Sequence, residues 1–255
     1  MSSSPDAVGR PNMHGQEVSL VCFPHAGGSN ATYNAWGARL GPGIQRLRPG
    51  CFDSHGQRAG FSTLDGLAMH IAGQLAGQPA PLVFYGHSMG AILAYEVARL
   101  LARDNPWQVA HLFVSGRRAP QLAARLAPVH QLADHAFIEA LRAYGGVPAA
   151  FDGNSRLLHS LVPVIRADLA LVETYGFTPH PPLQCPITAI HATDDRVVVA
   201  DELMAWQHRT CAAFEFQACD GGHFFHVEQP QRLVDLLQRS FARPLDRSLA
   251  CAPSH

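Results

Sequence analysis

Short apolar runs recur along the chain and alternate with segments of helical periodicity. The runs have the length of buried strands and are bounded by glycine, proline or polar residues. They cover residues 18–23, 82–85, 111–115, 187–192 and 214–218, and a weaker one covers residues 44–48. Uniformly apolar runs of this length indicate strands that are buried on both faces, as in a mainly parallel sheet.

The segments between the runs predict the helices that cover such a sheet. A helix is predicted over residues 31–40, directly after a glycine loop. Ser62 and Asp65 have the spacing of a capping box, which predicts a helix that ends at Leu75. Residues 91–103 are apolar on almost every face, so we expect this helix to lie in the middle of the domain. Strands alternating with helices predict the α/β fold class.

One long segment, residues 120–175, contains no convincing strand. Its pattern predicts a helix that begins near Asp134 and stops at Gly145, and then a second helix over residues 155–175. Pro163 is expected to bend or break the second helix. A helical insertion between strands usually covers the carboxyl edge of the sheet, where ligands bind in open α/β folds.

Length and composition fit one such domain. The chain has 255 residues, of which 47% are apolar and 15% charged, with 19 basic and 20 acidic side chains. We expect a single domain over residues 17–242, including the insertion, and flexible polar tails at residues 1–16 and 243–255. The near-zero net charge and the lack of like-charge blocks argue against nucleic acid or an anionic membrane as a partner.

The sequence also bears on location and metal content. No uncharged apolar run approaches the roughly 18 residues of a membrane span, and the first 17 residues contain no hydrophobic stretch typical of a signal peptide. The six cysteines are scattered without a CxxC pair, which favours reduced thiols over a disulfide framework or a zinc site. We therefore expect a cytoplasmic protein.

The sequence Gly86-His87-Ser88-Met89-Gly90 has the form G-x-S-x-G. The string alone is weak evidence, but an apolar strand precedes it and a buried helix follows it. This is the setting in which the motif forms a nucleophile elbow, a strained turn that exposes the serine. Ser88 is therefore the predicted nucleophile.

A serine nucleophile needs a base and a group that holds the base. His223 follows the strand at 214–218 in a glycine-containing loop and is the predicted base. Asp194 and Asp195 follow the strand at 187–192, and Asp195 is preferred as the acid because it lies three residues into the loop. His223 and His226 have a spacing seen in metal sites, but no third ligand is evident, so no metal is expected.

An acyl-transfer site also needs donors for the oxyanion. The backbone N–H of Met89, directly after the nucleophile, is one predicted donor. The loop after the first strand has H-x-G-G character, and the N–H of Ala26 in this loop is the second. His25 is expected to shape the loop.

Several pieces of the chain together resemble the type II thioesterases of nonribosomal peptide and polyketide synthesis. The matching pieces stand in the family's order and cover about residues 20 to 240: they are CFPHAGGS (22–29), GHSMGA (86–91), SGRRAP (115–120), RAD (166–168), ETY (173–175) and GGHFF (221–225). One departure is the segment after Pro49-Gly50, where the family usually carries an arginine and this chain has Cys51.

The resemblance implies an α/β-hydrolase fold with a helical lid at about residues 120–175 and a triad of Ser88, Asp195 and His223. It also implies an acyl or aminoacyl substrate held as a thioester on the phosphopantetheine arm of an acyl or peptidyl carrier protein. The reaction would free carriers of stalled or wrong groups and would need no cofactor of its own. We expect a monomer.

The residues leave other functions open. A carboxylesterase or lipase-like hydrolase, or an acyltransferase, would use the same triad with a different pocket or acceptor. A non-catalytic subunit that binds carrier proteins is disfavoured by the complete set of Ser, Asp and His. Apolar residues of the insertion either line an acyl pocket or form ordinary core; they are Phe137, Leu141, Leu157, Leu158 and Leu161.

Overall fold

Six parallel strands form one sheet in the structure, a computed structural model that describes residues 17–52, 60–79, 81–143, 145 and 155–242. The strands are β1 (Val18–Phe23), β2 (Ile44–Leu47), β3 (Leu82–His87), β4 (Val109–Ser115), β5 (Ile187–Ala192) and β6 (Phe214–Cys219). They lie in the order β2-β1-β3-β4-β5-β6, and every neighbouring pair is parallel. The predicted α/β class is confirmed, and all six predicted strands are present.

Helices cover both faces of this sheet. The α-helices are α1 (Leu64–Leu75), α2 (Met89–Leu101), α3 (Asp134–Ala143), α4 (Ser155–Glu173), α5 (Ala200–Met204), α6 (Phe225–Glu228) and α7 (Pro230–Ala242). Helices α1 and α2 contribute to the apolar core on one face, whereas α7 and the segment Asn30–Arg39 contribute to the core on the other. Helix α2 is buried along nearly its whole length, as predicted.

Three local predictions were wrong in detail. The segment Asn30–Arg39 is a 3-10 helix, because Tyr33 and Trp36, three residues apart, both enter the core and match a three-residue turn. Helix α1 is capped by Thr63, whose hydroxyl accepts the N–H of Gly66, and not by Ser62. Pro163 does not break α4, which continues through the exposed proline to Glu173.

Among the described residues, four cysteines are free and one is disulfide-bonded. Cys22, Cys51, Cys185 and Cys219 are free and buried. Cys211 is disulfide-bonded, so the expectation of reduced thiols is wrong for this residue. The tails at 1–16 and 243–255 lie outside the described residues. None of the described helices combines the length and the apolar character needed to cross a bilayer.

The strand order creates a switch point between β1 and β3. Strand β2 lies on one side of β1, and all later strands lie on the other side. The chain therefore leaves β1 and β3 in opposite directions, which opens a crevice at their carboxyl ends. Since Phe23 pairs with Gly86, the loop after β1 and the turn that holds Ser88 meet at this crevice.

Candidate active site

Ser88 occupies a strained turn between β3 and α2. Its φ of 55° and ψ of −117° make it the only non-glycine residue with positive φ among those described. Such backbone conformations cost about 1–3 kcal/mol and cluster at functional sites. A Cβ at Gly86 would lie 2.3 Å from the carbonyl oxygen of Gly90, and a Cβ at Gly90 would lie 2.0 Å from that of Phe23. The two glycines of the motif are therefore required by close backbone packing.

His223 and Asp195 form a buried hydrogen-bonded pair. The distance from His223 Nδ1 to Asp195 Oδ2 is 2.9 Å, and the side chains are only 5% and 1% exposed. The other oxygen, Oδ1, accepts the backbone N–H groups of Val197 at 2.8 Å and Val198 at 3.3 Å. These bonds fix the carboxylate, which in turn holds the ring with Nδ1–H as donor and Nε2 available as an acceptor.

The loops that carry this pair are joined by their backbones. The N–H of Asp194 donates to the carbonyl of Gly221 at 3.0 Å, and the N–H of Thr193 donates to that of Cys219 at 2.9 Å. The side chain of Asp194 is exposed. Of the two candidate acids, the structure therefore brings Asp195, and not Asp194, to His223.

A cavity of about 140 Å³ lies where these loops meet the turn after β3. Ser88, His223 and Ala26 all contribute to its wall. Met89 follows Ser88 as the first residue of α2 and is fully buried. The predicted nucleophile, base and oxyanion loop thus border one space.

The loop that contains Ala26 is held from two sides. The N–H of Gly28 donates to the carbonyl of His25 at 2.9 Å, which closes a tight turn. The N–H of Gly27 donates to Oδ2 of Asp168 in α4 at 2.8 Å, and Asp168 is 1% exposed. Gly27 has a φ of 79°, and a Cβ there would lie 2.5 Å from Cγ1 of Ile165. Helix α4 therefore packs directly on the loop.

Four histidines pack together behind the site. His25 and His226 are joined by a hydrogen bond of 3.2 Å between Nδ1 and Nε2. His87 stacks on His226 with ring centroids 3.9 Å apart and lies 4.8 Å from His223. Burial, and then the neighbouring histidines, lower the pKa of His87 and of His226 well below the usual value. Both rings are therefore neutral at physiological pH, and His226 packs against His25 and His87.

The insertion contributes side chains of α3 and α4 to the cavity wall. Leu141 of α3 and Ile165, Leu169 and Glu173 of α4 contribute to the wall. Phe137 instead belongs to a small separate core between the two helices. Leu161 is half-buried, and the side chains of Leu157 and Leu158 lie outside the described residues. Of the apolar residues that the sequence singles out, Leu141 therefore lines the cavity and Phe137 lies in the core of the insertion.

Charged residues of α4 tie this helix to the segment before α3, within the same insertion. Glu173 accepts the N–H groups of Val129 and His130 at 3.1 and 3.0 Å, and His130 Nδ1 lies 2.6 Å from it. Arg166 donates to the carbonyl of His130 at 2.6 Å and pairs with Asp134 at 2.7 Å. Arg166 and Glu173 lie in the RAD and ETY pieces, which the sequence offers only as a resemblance. A buried acidic residue in an amphipathic helix needs specific donors, and this is the signal that could have indicated such contacts.

Comparisons with known proteins give relatives across most of the chain. A family model described as "Thioesterase domain" matches residues 18–241. Thioesterase PikA5 of Streptomyces venezuelae is 36% identical over 218 residues, which cover 83% of this chain and 76% of the relative. The gramicidin S biosynthesis protein GrsT of Aneurinibacillus migulanus is 30% identical over 227 residues, which cover 87% and 88% of the two chains.

Solved structures agree with these relatives. RedJ, a thioesterase from the prodiginine pathway of Streptomyces coelicolor, superposes with a TM-score of 0.78 at 35% identity. The superposition covers 94% of this chain and 90% of the RedJ chain. BorB, a type II thioesterase from the borrelidin cluster, superposes with a TM-score of 0.78 at 32% identity and covers 89% and 94% of the two chains.

Proposed function

Because this chain belongs to the thioesterase family, we propose that it hydrolyses acyl or aminoacyl thioesters held on the phosphopantetheine arm of carrier proteins. The chain is a hydrolase that acts on thioesters, and its fold is the α/β-hydrolase fold. Solved structures of matching length include ClbQ and the type II thioesterase YbtT, both named for combined nonribosomal peptide and polyketide pathways, in which carrier proteins hold the growing chain. This chain is accordingly a type II thioesterase of such a pathway.

The first half of the reaction forms an acyl-enzyme. His223, oriented by Asp195, takes the proton of Ser88 as the hydroxyl oxygen attacks the thioester carbonyl. The tetrahedral intermediate collapses with cleavage of the carbon–sulfur bond, and His223 gives its proton to the departing pantetheine sulfur. The products of this step are an ester on Ser88 and a free carrier thiol.

The second half releases the acid. A water molecule loses a proton to His223 and attacks the ester carbonyl, and the proton then returns to the Ser88 oxygen as the carbon–oxygen bond breaks. Both tetrahedral intermediates are stabilised by the backbone N–H groups of Ala26 and Met89. No step requires a metal or a cofactor, because the reaction transfers only protons and the acyl group.

The observation that carries this proposal is the buried 2.9 Å pair of His223 and Asp195 beside the cavity that Ser88 borders. A histidine held through Nδ1 at this distance has the tautomer needed for a general base at Nε2. The positive φ of Ser88 gives independent support, since a strained serine in a strand-to-helix turn is the property of a nucleophile elbow.

We further propose that the insertion acts as a lid and that the partner is an acyl or peptidyl carrier protein. The reaction then removes stalled or wrong acyl groups and restores the free thiol. Residues 120–175 belong to the same domain as the sheet in this proposal, since α4 provides the acceptor for Gly27 of the loop after β1.

The test compares Ser88→Ala with Ser62→Ala, an exposed serine outside the cavity. Thiol release from short acyl, long acyl and aminoacyl carrier thioesters is measured beside hydrolysis of matching oxygen esters. We expect Ser88→Ala to lose at least about a thousandfold in rate with unchanged thermal stability, and a serine-directed phosphonate to label only proteins that keep Ser88. Full activity of Ser88→Ala, or faster turnover of the oxygen esters, would contradict the proposal.

A further inference from the structure

Arg117 lies in the wall of the cavity, close to the predicted nucleophile. The carbonyl of Ser115 accepts the backbone N–H of Ser88 at 2.9 Å. Gly116 and Arg117 follow Ser115 directly, and both border the cavity. Two residues span at most about 7 Å of chain, so the Arg117 side chain begins near the acyl carbons next to the thioester.

The guanidinium of Arg117 is buried and incompletely bonded. One terminal nitrogen donates to the carbonyl of Val172 at a long 3.3 Å, and the buried Nε–H has no hydrogen-bond partner among the described residues. Burial lowers the pKa of Arg117 to about 9, which leaves it cationic at neutral pH. A buried donor without an acceptor is costly, so native structures rarely keep one unless a ligand or water completes it.

The acidic residues of the cavity wall are bonded elsewhere. Glu173 accepts hydrogen bonds from the backbone N–H groups of Val129 and His130. Glu202 receives the N–H of Val199 at 3.0 Å and pairs with Arg125 at 3.5 Å. Both carboxylates still act on Arg117 through space, which offsets much of the positive charge in the wall. The wall therefore offers a hydrogen-bond donor more than it offers net charge.

Two further arginines of the wall are bonded elsewhere: Arg118 donates to the carbonyl of Leu122 at 3.0 Å, and Arg125 donates to that of Val197 at 3.0 Å. The other side chains of the wall give no reason to select a polar substrate. Leu141, Ile165, Leu169 and Val198 are apolar and would accept a plain alkyl chain. Discrimination between acyl groups of equal length therefore depends on the donors of Arg117.

We infer that Arg117 is a specificity-determining residue that donates a hydrogen bond to a neutral oxygen, keto or hydroxy, carried on the acyl chain beyond the thioester carbonyl. The inference rests on the proposed function and names the substrate class within it. An acyl group that lacks this oxygen leaves the buried guanidinium of Arg117 incompletely bonded, and a site built with such a donor discriminates strongly against the analogue without the acceptor. A carboxylate at the same place is disfavoured, because Glu173 and Glu202 oppose the arginines of the wall and the charge that remains does not compensate for desolvation of the anion.

The experiment uses N-acetylcysteamine thioesters of butyrate, 3-hydroxybutyrate, 3-oxobutyrate and malonate. Free thiol is measured with the full-length protein, and each kcat/KM is divided by the rate of hydroxide-catalysed hydrolysis of the same thioester. We expect wild type to prefer both neutral oxygenated substrates over butyrate by at least about tenfold, and to prefer them over malonate.

Arg117→Met removes every donor while keeping the length of the side chain. We expect it to bring the ratio of oxygenated substrate to butyrate close to one, whereas Arg103→Met, at an exposed position outside the cavity, keeps the wild-type ratio. An equal loss for all thioesters in Arg117→Met would overturn the inference, because that is the result of a purely structural arginine. If Arg117→Met does not fold, the wild-type ratios decide, and a ratio near one or a preference for malonate overturns the inference. Failure of wild type to hydrolyse any thioester would instead contradict the proposed function.

Discussion

Asp168 of α4 accepts the backbone N–H of Gly27 at 2.8 Å, so the helix above the cavity is bonded to the loop that carries Ala26. The carboxylate is almost completely buried, and the neighbouring Ile165 packs where a Cβ of residue 27 would lie. A hydrogen bond to a buried carboxylate is stronger than one between neutral groups. The position of the Ala26 N–H therefore depends on a side chain 141 residues away in sequence.

Asp168→Ala removes this acceptor and is expected to lower kcat about tenfold to a hundredfold with a smaller change in KM. The loss follows because an oxyanion donor that is displaced by a fraction of an ångström stabilises the transition state less. Steady-state kinetics with an acyl thioester measure the effect. Asp168→Asn keeps an oxygen acceptor and should lose less; equal kcat values for wild type and Asp168→Ala would show that the bond does not position the loop.

Asp195→Asn and Asp194→Asn form a matched pair of neighbouring substitutions. Asp195→Asn is expected to lower kcat by about a thousandfold or more, because an amide in this place no longer fixes His223 in the required tautomer. Asp194 is exposed, and its replacement should change kcat less than about twofold. Thiol release at saturating substrate measures both. A larger loss in Asp194→Asn than in Asp195→Asn would reverse the assignment of the acid.

Gly90→Ala should prevent stable folding, because its Cβ would lie 2.0 Å from the carbonyl oxygen of Phe23 and only a shift of buried backbone could relieve the contact. We expect a loss of more than about 3 kcal/mol in the free energy of unfolding, measured by urea denaturation. Gly73→Ala in α1 is the control. Apart from the backbone of α1 itself, no atom of the described residues lies within 4 Å of the Cβ position there, and alanine favours helix, so a gain of about 0.5–1 kcal/mol is expected.

The buried histidines predict a loss of stability in mild acid. Because the folded-state pKa of His226 is depressed, the unfolded chain binds a proton that the folded chain does not bind, and stability falls as pH drops below about 6.5. Each such group contributes a slope of up to about 1.4 kcal/mol per pH unit. His226→Leu should therefore reduce the slope of unfolding free energy between pH 6.5 and 5 by one proton. Denaturation at several pH values measures it.

The control for this titration is His135→Gln, at a side chain that is 87% exposed. His87, whose folded-state pKa is also depressed, keeps its own share of the slope in His226→Leu. An identical slope in wild type and His226→Leu would contradict a neutral, buried His226.

Much of the fold follows from the sequence because most strands are continuous apolar runs. Such runs are typical of strands that are buried on both faces of the sheet. The run at 187–192 was located at both ends, and Ile44–Leu47 was found despite its weak pattern. The sequence does not distinguish an α-helix from the observed 3-10 helix at Asn30–Arg39, because Tyr33 and Trp36 fit both a 3.0-residue and a 3.6-residue period. Local periodicity over ten residues does not separate the two.

The candidate site was predictable where its parts follow strands in a fixed order, as Ser88, Asp195 and His223 do. The choice of Asp195 over Asp194 depends on counting residues after the strand. In the structure Asp195 is the one that contacts His223 and is held by the backbone N–H groups of Val197 and Val198, and its role as the acid stays a prediction. Asp168 could not be assigned to Gly27 from the sequence. The contact joins two segments whose proximity depends on how α4 packs over the sheet, which no local pattern encodes.

The contact between Ile165 and Gly27 also limits how the acyl pocket can be redesigned. Ile165 borders the cavity on one side and fills the space above Gly27 on the other, so a smaller residue there would both enlarge the cavity and loosen the loop that carries Ala26. Leu141 borders the same cavity from α3, which does not carry the bond to Gly27. Engineering that aims at longer acyl chains should therefore begin at Leu141, where cavity volume can be changed separately from the position of the loop that carries Ala26.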